Sequence, residues 1–430
     1  MISSVLKVTQ GNLHVRAQIW IRDFVKHDVV IVGAGPAGST AAKIVAERGF
    51  KALVLEKDTL DREKPCAGAI THRVVEHFRI PEKAFVRKCT GIFFCSPKNR
   101  TVVIEKHTKN IRLAMRNVFD KVLCEMAIDK DAEFFEKSLV QELLIKDRKV
   151  VGVKATINGK TKTVECRLAI GADGTPSTVA TKLELYSQRP KTMGTGFLYQ
   201  MELPNELIEQ RIGSNIEIYF GREWIPFGYT WIFPKDNIVT VGNGTWIDVI
   251  QERKANLKRR LDYFIKKHPI ASRKLEGAKV LYSQAHLIGF PGVLKDNVAN
   301  GCLIAGDASG TVSIATAEGI WYSMKSGEAS GLSATETLEN DDVSASTLRT
   351  EYDKNLDQIV KDDLRLASKI RKRFLNTDIQ QQRTVVSAAK DTWYAHLIGN
   401  AIDGTFPYKR VIRQLRNRPD KLLKALLFYR

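Results

Sequence analysis

A short run of small residues carries the clearest chemistry in this chain. Gly33-Ala34-Gly35-Pro36-Ala37-Gly38 spaces three glycines as GxGxxG, and Glu56 stands 18 residues beyond the last of them. Gly33 suits a tight turn, Gly35 lets the backbone approach a pyrophosphate, and Gly38 lets a helix pack closely on a strand, while the helix start offers unpaired N–H groups to the anion. Glu56 would accept hydrogen bonds from a ribose. Two more acids stand in turns, Asp173 in Ala172-Asp173-Gly174 ahead of Ser177, and Asp307 in Gly306-Asp307. Taken singly, each is also what a loop with a helix-capping Asp looks like. Tyr229, Trp231 and Phe233 alternate, so on a strand they would share one face as an aromatic wall, which a packed core displays equally. The six cysteines, Cys66, Cys89, Cys95, Cys124, Cys166 and Cys302, include no CxxC pair and no metal-ligand spacing with the eight histidines, so neither metal nor disulfide is expected.

The elements that must position these residues can be read from the pattern. Asp28 to Val32 reads as a buried strand, followed by the glycine turn, a helix from Ser39 to Gly49 and a strand from Lys51 to Glu56. Val150 to Ile157 and Thr161 to Ile170 flank Asn158-Gly159, the dipeptide of a type I′ hairpin. Strands rich in aromatic residues follow, Ile216 to Phe220, Tyr229 to Pro234 and Ile238 to Gly242, then a basic helix near 250–267. Cys302 to Ala305 reads as a strand, a helix should run from about Gly319 to Gly331, and the chain beyond 336 has helical period. Net charge is +19, from 67 Lys and Arg against 48 Asp and Glu, which favours an anionic partner: nucleic acid, phospholipid headgroups or a phosphorylated substrate. No apolar run reaches the roughly 18 residues of a bilayer span, and a reducing, cytoplasmic location is expected. Residues 1–26 lack a secretory apolar stretch, leaving a transit peptide or a misassigned start open.

Three motifs in this order, GxGxxG, Asp173-Gly174 and Gly306-Asp307, resemble the hydroxylase-type flavoproteins and imply FAD. Pro226-Phe227-Gly228-Tyr229-Thr230-Trp231-Ile232-Phe233-Pro234, with Gly242-Asn243-Gly244 after seven intervening residues, is similar to the PxxYxWxFP and GxG pattern of the geranylgeranyl reductases. Lys64-Pro65-Cys66-Ala67-Gly68-Ala69-Ile70 resembles their Lys-Pro-Cys-Gly-Gly-Ala-Ile element, with Ala67 where the chlorophyll-type members carry glycine. The likeness spans roughly residues 28–335. It implies an α/β fold: a Rossmann-type FAD-binding domain at 27–185 and 281–335, an inserted antiparallel-sheet substrate domain at 186–280, and helices at 336–430, with 1–26 as an extension. It also implies FAD contacts at Ala37, Glu56, Cys66, Ala67, Ala69, Arg116, Val140, Asp307, Gly319 and Ile320, beside Gly33, Gly35, Gly38 and Asp173 of the motifs.

The reaction so implied is reduction of an isolated alkene in a geranylgeranyl chain, by hydride from FAD and a proton from an acid. Tyr229 and Trp231 would face the partial positive charge that develops on the alkene, with Phe233 completing the wall. Cys66 is placed near the flavin, to relay a proton, protect the reduced state, or serve as a small buried thiol. Without a second GxGxxG, electrons must come from transiently docked NAD(P)H or a ferredoxin-like donor. An archaeal geranylgeranyl phospholipid is the expected substrate, ahead of a prenylated quinone or chlorophyll precursor. A flavin monooxygenase, and a basic lipid- or nucleic-acid-binding flavoprotein, are the rivals. At the C-terminus eight basic residues from Lys409 to Arg430 face the single acid Asp420, and Leu422, Leu423, Leu426 and Leu427 share a helical face, so this segment would either lie on an anionic membrane or pack on the protein body.

Overall fold

The structure, a computed structural model, describes residues 27–106, 110–185, 192–290 and 297–427. The expectations for residues 1–26 and Arg430 fall outside these, as do the side chains of Leu426 and Leu427.

Among the described residues the strands form sheets of eight, seven and three. The first is built on Val29, Ile31, Leu53 and Val54, β-branched or apolar residues buried on both faces, as a parallel sheet covered by helices requires. His27–Val32 lies centrally, parallel to Ala52–Leu55 on one side and to Lys160–Gly171 on the other. Cys302–Ile304 and Glu133–Phe135 extend it in parallel. Lys149–Ile157 and Lys160–Gly171 pair antiparallel across Asn158-Gly159, both at positive φ as a type I′ turn needs.

The first helix is Pro36–Glu47, three residues earlier than the sequence pattern placed it. Proline's fixed φ suits the first helical position, where its missing N–H costs nothing. The helix ends in a Schellman motif, with Gly49 at φ +81 donating to Ala46 O and Phe50 donating to Val45 O. The helix expected to stop at Gly331 runs on as Ile320–Glu339. Gly327 and Gly331 serve contact instead of termination, since a Cβ on Gly327 would lie 2.2 Å from Ala37 O and one on Gly331 3.0 Å from Ala41 O. The two helices pack closely for that reason. The basic helix expected at 250–267 is two helices, Ile247–Arg253 and Leu257–Lys267. Lys254 turns into the left-handed region, and Asn256 caps the second helix by accepting from Arg259 N.

The seven-stranded sheet runs Lys279–Gly289, Met193–Glu202, Ile238–Trp246, Tyr229–Pro234, Asn215–Tyr219, Gly91–Cys95, Thr101–Glu105. It is antiparallel except where Asn215–Tyr219 meets Gly91–Cys95 in parallel. It therefore draws strands from residues 91–105, well before the aromatic segment that dominates it. From Ala345 onward the described chain is a series of helices. Those from Asp378–Lys390 to Tyr408–Asn417 pack Val385, Leu397 and Val411 against this sheet, while Ile370 of Gln358–Phe374 packs with Ala315 and Tyr408.

Candidate active site

A continuous cavity of about 410 Å³ extends from the glycine turn, between the two large sheets, to the C-terminal helices. At the glycine turn its lining residues are mostly small. Gly35, Pro36 and Ala37 line it at the start of the first helix, with Ala172, Gly174, Gly306 and Asp307 opposite. A Cβ on Gly33 would lie 2.6 Å from Ala172 O and one on Gly38 only 1.9 Å from Gly33 O, whereas a Cβ on Gly35 would meet nothing within 4 Å. The crowding holds the turn shut on the protein side and leaves it open over the helix start, the shape a pyrophosphate needs. The Glu56 carboxylate accepts from Ala34 N at 2.8 Å and Asp58 N at 3.1 Å, so it braces the turn from the second strand. Asp307 accepts from Ser323 Oγ at 3.0 Å through one oxygen, leaving the other for a sugar hydroxyl. These features fit an FAD.

In the middle of the cavity, Lys64 to Ala69 face Ala315 to Ile320, with Gly319 as N-cap of the long helix and Ile320 its first residue. Cys66 is half-buried, its sulfur accepting from Gly68 N at 3.3 Å. Arg116 reaches the same cavity, held by a bidentate pair with Asp120 at 2.7 and 2.8 Å. Burial opposes its charge, but Asp120 more than compensates and its pKa stays above the ordinary arginine value. Tyr229 donates to Thr316 O at 2.8 Å, tying the aromatic strand to the loop ahead of the long helix. Burial raises its pKa well above the usual tyrosine value, so it keeps its proton.

Behind this region stands Lys235, 2% exposed, donating to Ala67 O at 3.2 Å and to Thr240 Oγ1. Burial brings its pKa down to about 8. It fastens the cysteine-bearing loop to the second sheet. His286 lines the cavity with a buried Nε2 that has no partner among the described residues, and burial beside Lys64 lowers its pKa to about 4. It is a neutral imidazole, free to bond a ligand.

The far end is an apolar chamber. Tyr229, Trp231 and Phe233 line one wall, with ring centroids of the first two 5.8 Å apart, alongside Phe94, Leu198 and Phe220. The opposite wall comes from the C-terminal helices, including Phe374, Val385, Leu397, Ile402, Val411 and Leu415. Asp363 joins these helices to the cofactor side. It accepts from Tyr408 N at 2.6 Å and Tyr322 OH at 3.3 Å, and lies 3.6 Å from Arg73, which also pairs with Glu318.

Of the residues singled out in the sequence, Gly35, Ala37, Cys66, Ala67, Ala69, Arg116, Tyr229, Trp231, Phe233, Asp307, Gly319 and Ile320 line this cavity. Gly33, Gly38 and Glu56 shape the turn from behind. Asp173 points elsewhere: its carboxylate accepts from Ser177 Oγ and from Thr178 N and Val179 N, capping the helix Thr178–Lys182, while Ala172 and Gly174 on either side face the cavity. Val140 is buried in the strand Ser138–Lys146 beside Ala155, away from the cavity lining. Lys235, His286 and the C-terminal wall carried no sequence signal beyond a lone basic residue, a lone histidine and a helical period.

The chain matches the family model described as FAD binding domain over residues 26–223, and that described as geranylgeranyl reductase catalytic domain over 198–283. It is 28% identical to the digeranylgeranylglycerophospholipid reductase of Methanocaldococcus jannaschii over 403 residues, 93% of this chain and 97% of that one. To the geranylgeranyl diphosphate reductase of Synechocystis sp. it is 30% identical over 312 residues, 69% of this chain and 72% of that one. The crystal structure of a geranylgeranyl bacteriochlorophyll reductase-like protein from Thermoplasma acidophilum superimposes with a TM-score of 0.70 at 22% identity, covering 91% of this chain and 99% of that one. With the nucleotide cradle opening directly onto the aromatic chamber, the chain belongs to the geranylgeranyl reductase family of FAD-dependent oxidoreductases.

Proposed function

We propose that the protein reduces carbon–carbon double bonds in the geranylgeranyl chains of membrane phospholipids. One observation carries this: a single cavity joins a dinucleotide cradle to an apolar chamber walled by Tyr229, Trp231 and Phe233. The relatives named for the digeranylgeranylglycerophospholipid support the phospholipid as substrate. Bound and reduced, FAD supplies the hydride. The chain's own residues do the rest. Gly35 and the N-terminus of Pro36–Glu47 hold the pyrophosphate, and Asp307 the ribityl chain. Aromatic faces of Tyr229 and Trp231 steady positive charge at the tertiary carbon, as ring quadrupoles do for cations. Tyr229 and Cys66 are the proposed proton carriers, the first because its buried hydroxyl keeps its proton, the second because it lies beside Arg116 in the middle of the cavity. NAD(P)H or a ferredoxin-like protein is the proposed electron source.

Among the described residues no helix is long and apolar enough to cross a membrane. A peripheral contact is proposed for the C-terminal helices, whose Lys409, Arg410, Arg413 and Arg416 are exposed while Val411 and Leu415 face inward, and where Leu423 is 55% exposed beside Lys424.

The test is anaerobic incubation of dithionite-reduced holoprotein with a geranylgeranyl phospholipid, followed by mass spectrometry of the lipid. Products heavier by pairs of hydrogens are expected. Oxygenated lipid formed in air would instead make the protein a monooxygenase, and unchanged lipid in both conditions would leave only flavin and lipid binding.

A further inference from the structure

Arg371 brings a guanidinium to the wall of the apolar chamber, flanked on its own segment by the lining residues Ile370, Phe374 and Leu375. Its Nη2 donates to Phe227 O at 3.2 Å, and its Cζ lies 4.4 Å from the ring centroid of Trp246. Among the described residues that is its one hydrogen bond, and no carboxylate stands within salt-bridge distance. Burial lowers its pKa to about 10, with Asp248 acting through space to oppose the drop, so it remains charged at neutral pH. A guanidinium offers five N–H donors in a planar fork, and most of this fork is unspent. A partly desolvated charge without an anion is unfavourable, and one that faces a cavity recovers the loss when an anion enters.

The backbone beside it marks the same place. Phe227, also a lining residue, sits at φ +57, a left-handed conformation that a bulky side chain rarely takes and that persists where surroundings hold it. Arg371 supplies part of that hold through the Phe227 carbonyl. Arg222 lies 5.0 Å from the Phe227 ring but is already paired with Asp378 at 3.7 Å, so Arg371 is the guanidinium left for a ligand.

We propose that Arg371 binds the phosphate of the prenyl substrate's headgroup and so fixes how far the chain enters the chamber. This rests on the chamber holding a prenyl chain. The planar fork matches two oxygens of a phosphate, and the indole beneath keeps the guanidinium in place without neutralising it.

The experiment is calorimetric titration of the oxidised holoprotein with geranylgeranyl diphosphate and with geranylgeraniol in one detergent, for the wild type, R371Q and R371K. The wild type should prefer the diphosphate by at least about tenfold, the scale of a charge-assisted hydrogen bond. In R371Q the ratio should fall close to one, and R371K, which keeps charge but not the fork, should fall between. A wild-type ratio near one, a ratio that survives in R371Q, or equal weakening of both ligands as a purely structural prop for Phe227 would produce, overturns the proposal. So does inorganic pyrophosphate binding as tightly as the prenyl diphosphate, which would make this a free-anion site. Alkene reduction is assayed separately. If the binding ratio behaves as expected while the wild type reduces no alkene, the reductase function fails and the headgroup site stands.

Discussion

The two ends of the cavity are made in different ways. At the nucleotide end the working surface is backbone, shaped by glycines within a few residues of one another, and the open face over Gly35 exists because Gly33 and Gly38 admit no side chain. At the chamber end the surface is side chain, and its walls come from segments as far apart as Phe94, Trp231 and Leu415. A phosphate is recognised by N–H groups that any sequence supplies once the turn is right, whereas a hydrocarbon is recognised by shape, which only assembled side chains supply. Substitutions at the first end should therefore act on cofactor retention, and substitutions at the second on turnover.

The largest effect is expected at the glycines. Gly35→Val should fold, since its Cβ has room, yet weaken FAD by about 100-fold or more because the side chain fills the phosphate approach. Flavin absorbance of the purified protein and far-UV circular dichroism separate the two outcomes. Gly38→Val should lose the fold of the turn as well, its Cβ being placed 1.9 Å from Gly33 O. A flavin-replete Gly35→Val protein would show that the open backbone at Gly35 does not set FAD affinity.

At the other end, Trp231→Ala and Tyr229→Ala should keep FAD and lose most alkene reduction, on the order of 100-fold in kcat/KM through lost positioning. Trp231→Ala should also cost about 3–5 kcal/mol of stability from the cavity it opens. Denaturant titration and steady-state turnover with dithionite measure each. Undiminished turnover in both variants would make the aromatic wall ordinary core.

A smaller effect belongs to Asp363, the carboxylate that joins the ends. Burial raises its pKa to about 6, so between its unfolded value near 4 and pH 6 the folded state holds a proton that the unfolded state has released. Stability from this group is thus present below pH 4 and falls as pH rises to 6, by roughly 2–3 kcal/mol. Asp363→Asn should remove that part of the slope, read as denaturation midpoint against pH. An unchanged profile would mean that other carboxylates set it.

The smallest effect is expected at the surface. Leu423→Asp with Lys424→Glu should weaken binding to anionic vesicles severalfold, each basic residue near such lipid contributing about 1 kcal/mol, with the difference fading in high salt. Point changes are preferable to deleting residues 409–430, because Val411 and Leu415 line the chamber and their loss would open it. Equal sedimentation of variant and wild type would place any membrane contact elsewhere.

Features that depend only on neighbours along the chain are legible from the residues. The glycine turn, the Asn158-Gly159 hairpin and the shared face of Tyr229, Trp231 and Phe233 follow from backbone preference and a period of two, and they were legible without a partner. Asp173 shows where local reading stops, because a capping aspartate and a ligand-binding one look alike until the direction of the carboxylate is known. Gly331 read as a terminator and proved a contact, since only the approach of a second helix distinguishes these uses of glycine. Tertiary structure alone decided that residues 91–105 join the second sheet, that the helices from Gln358 to Asn417 wall the chamber, and that Arg371 faces it. An apolar stripe on a helix has the same spacing whether it meets packed core or open space, so what it encloses is fixed by the surface brought opposite to it.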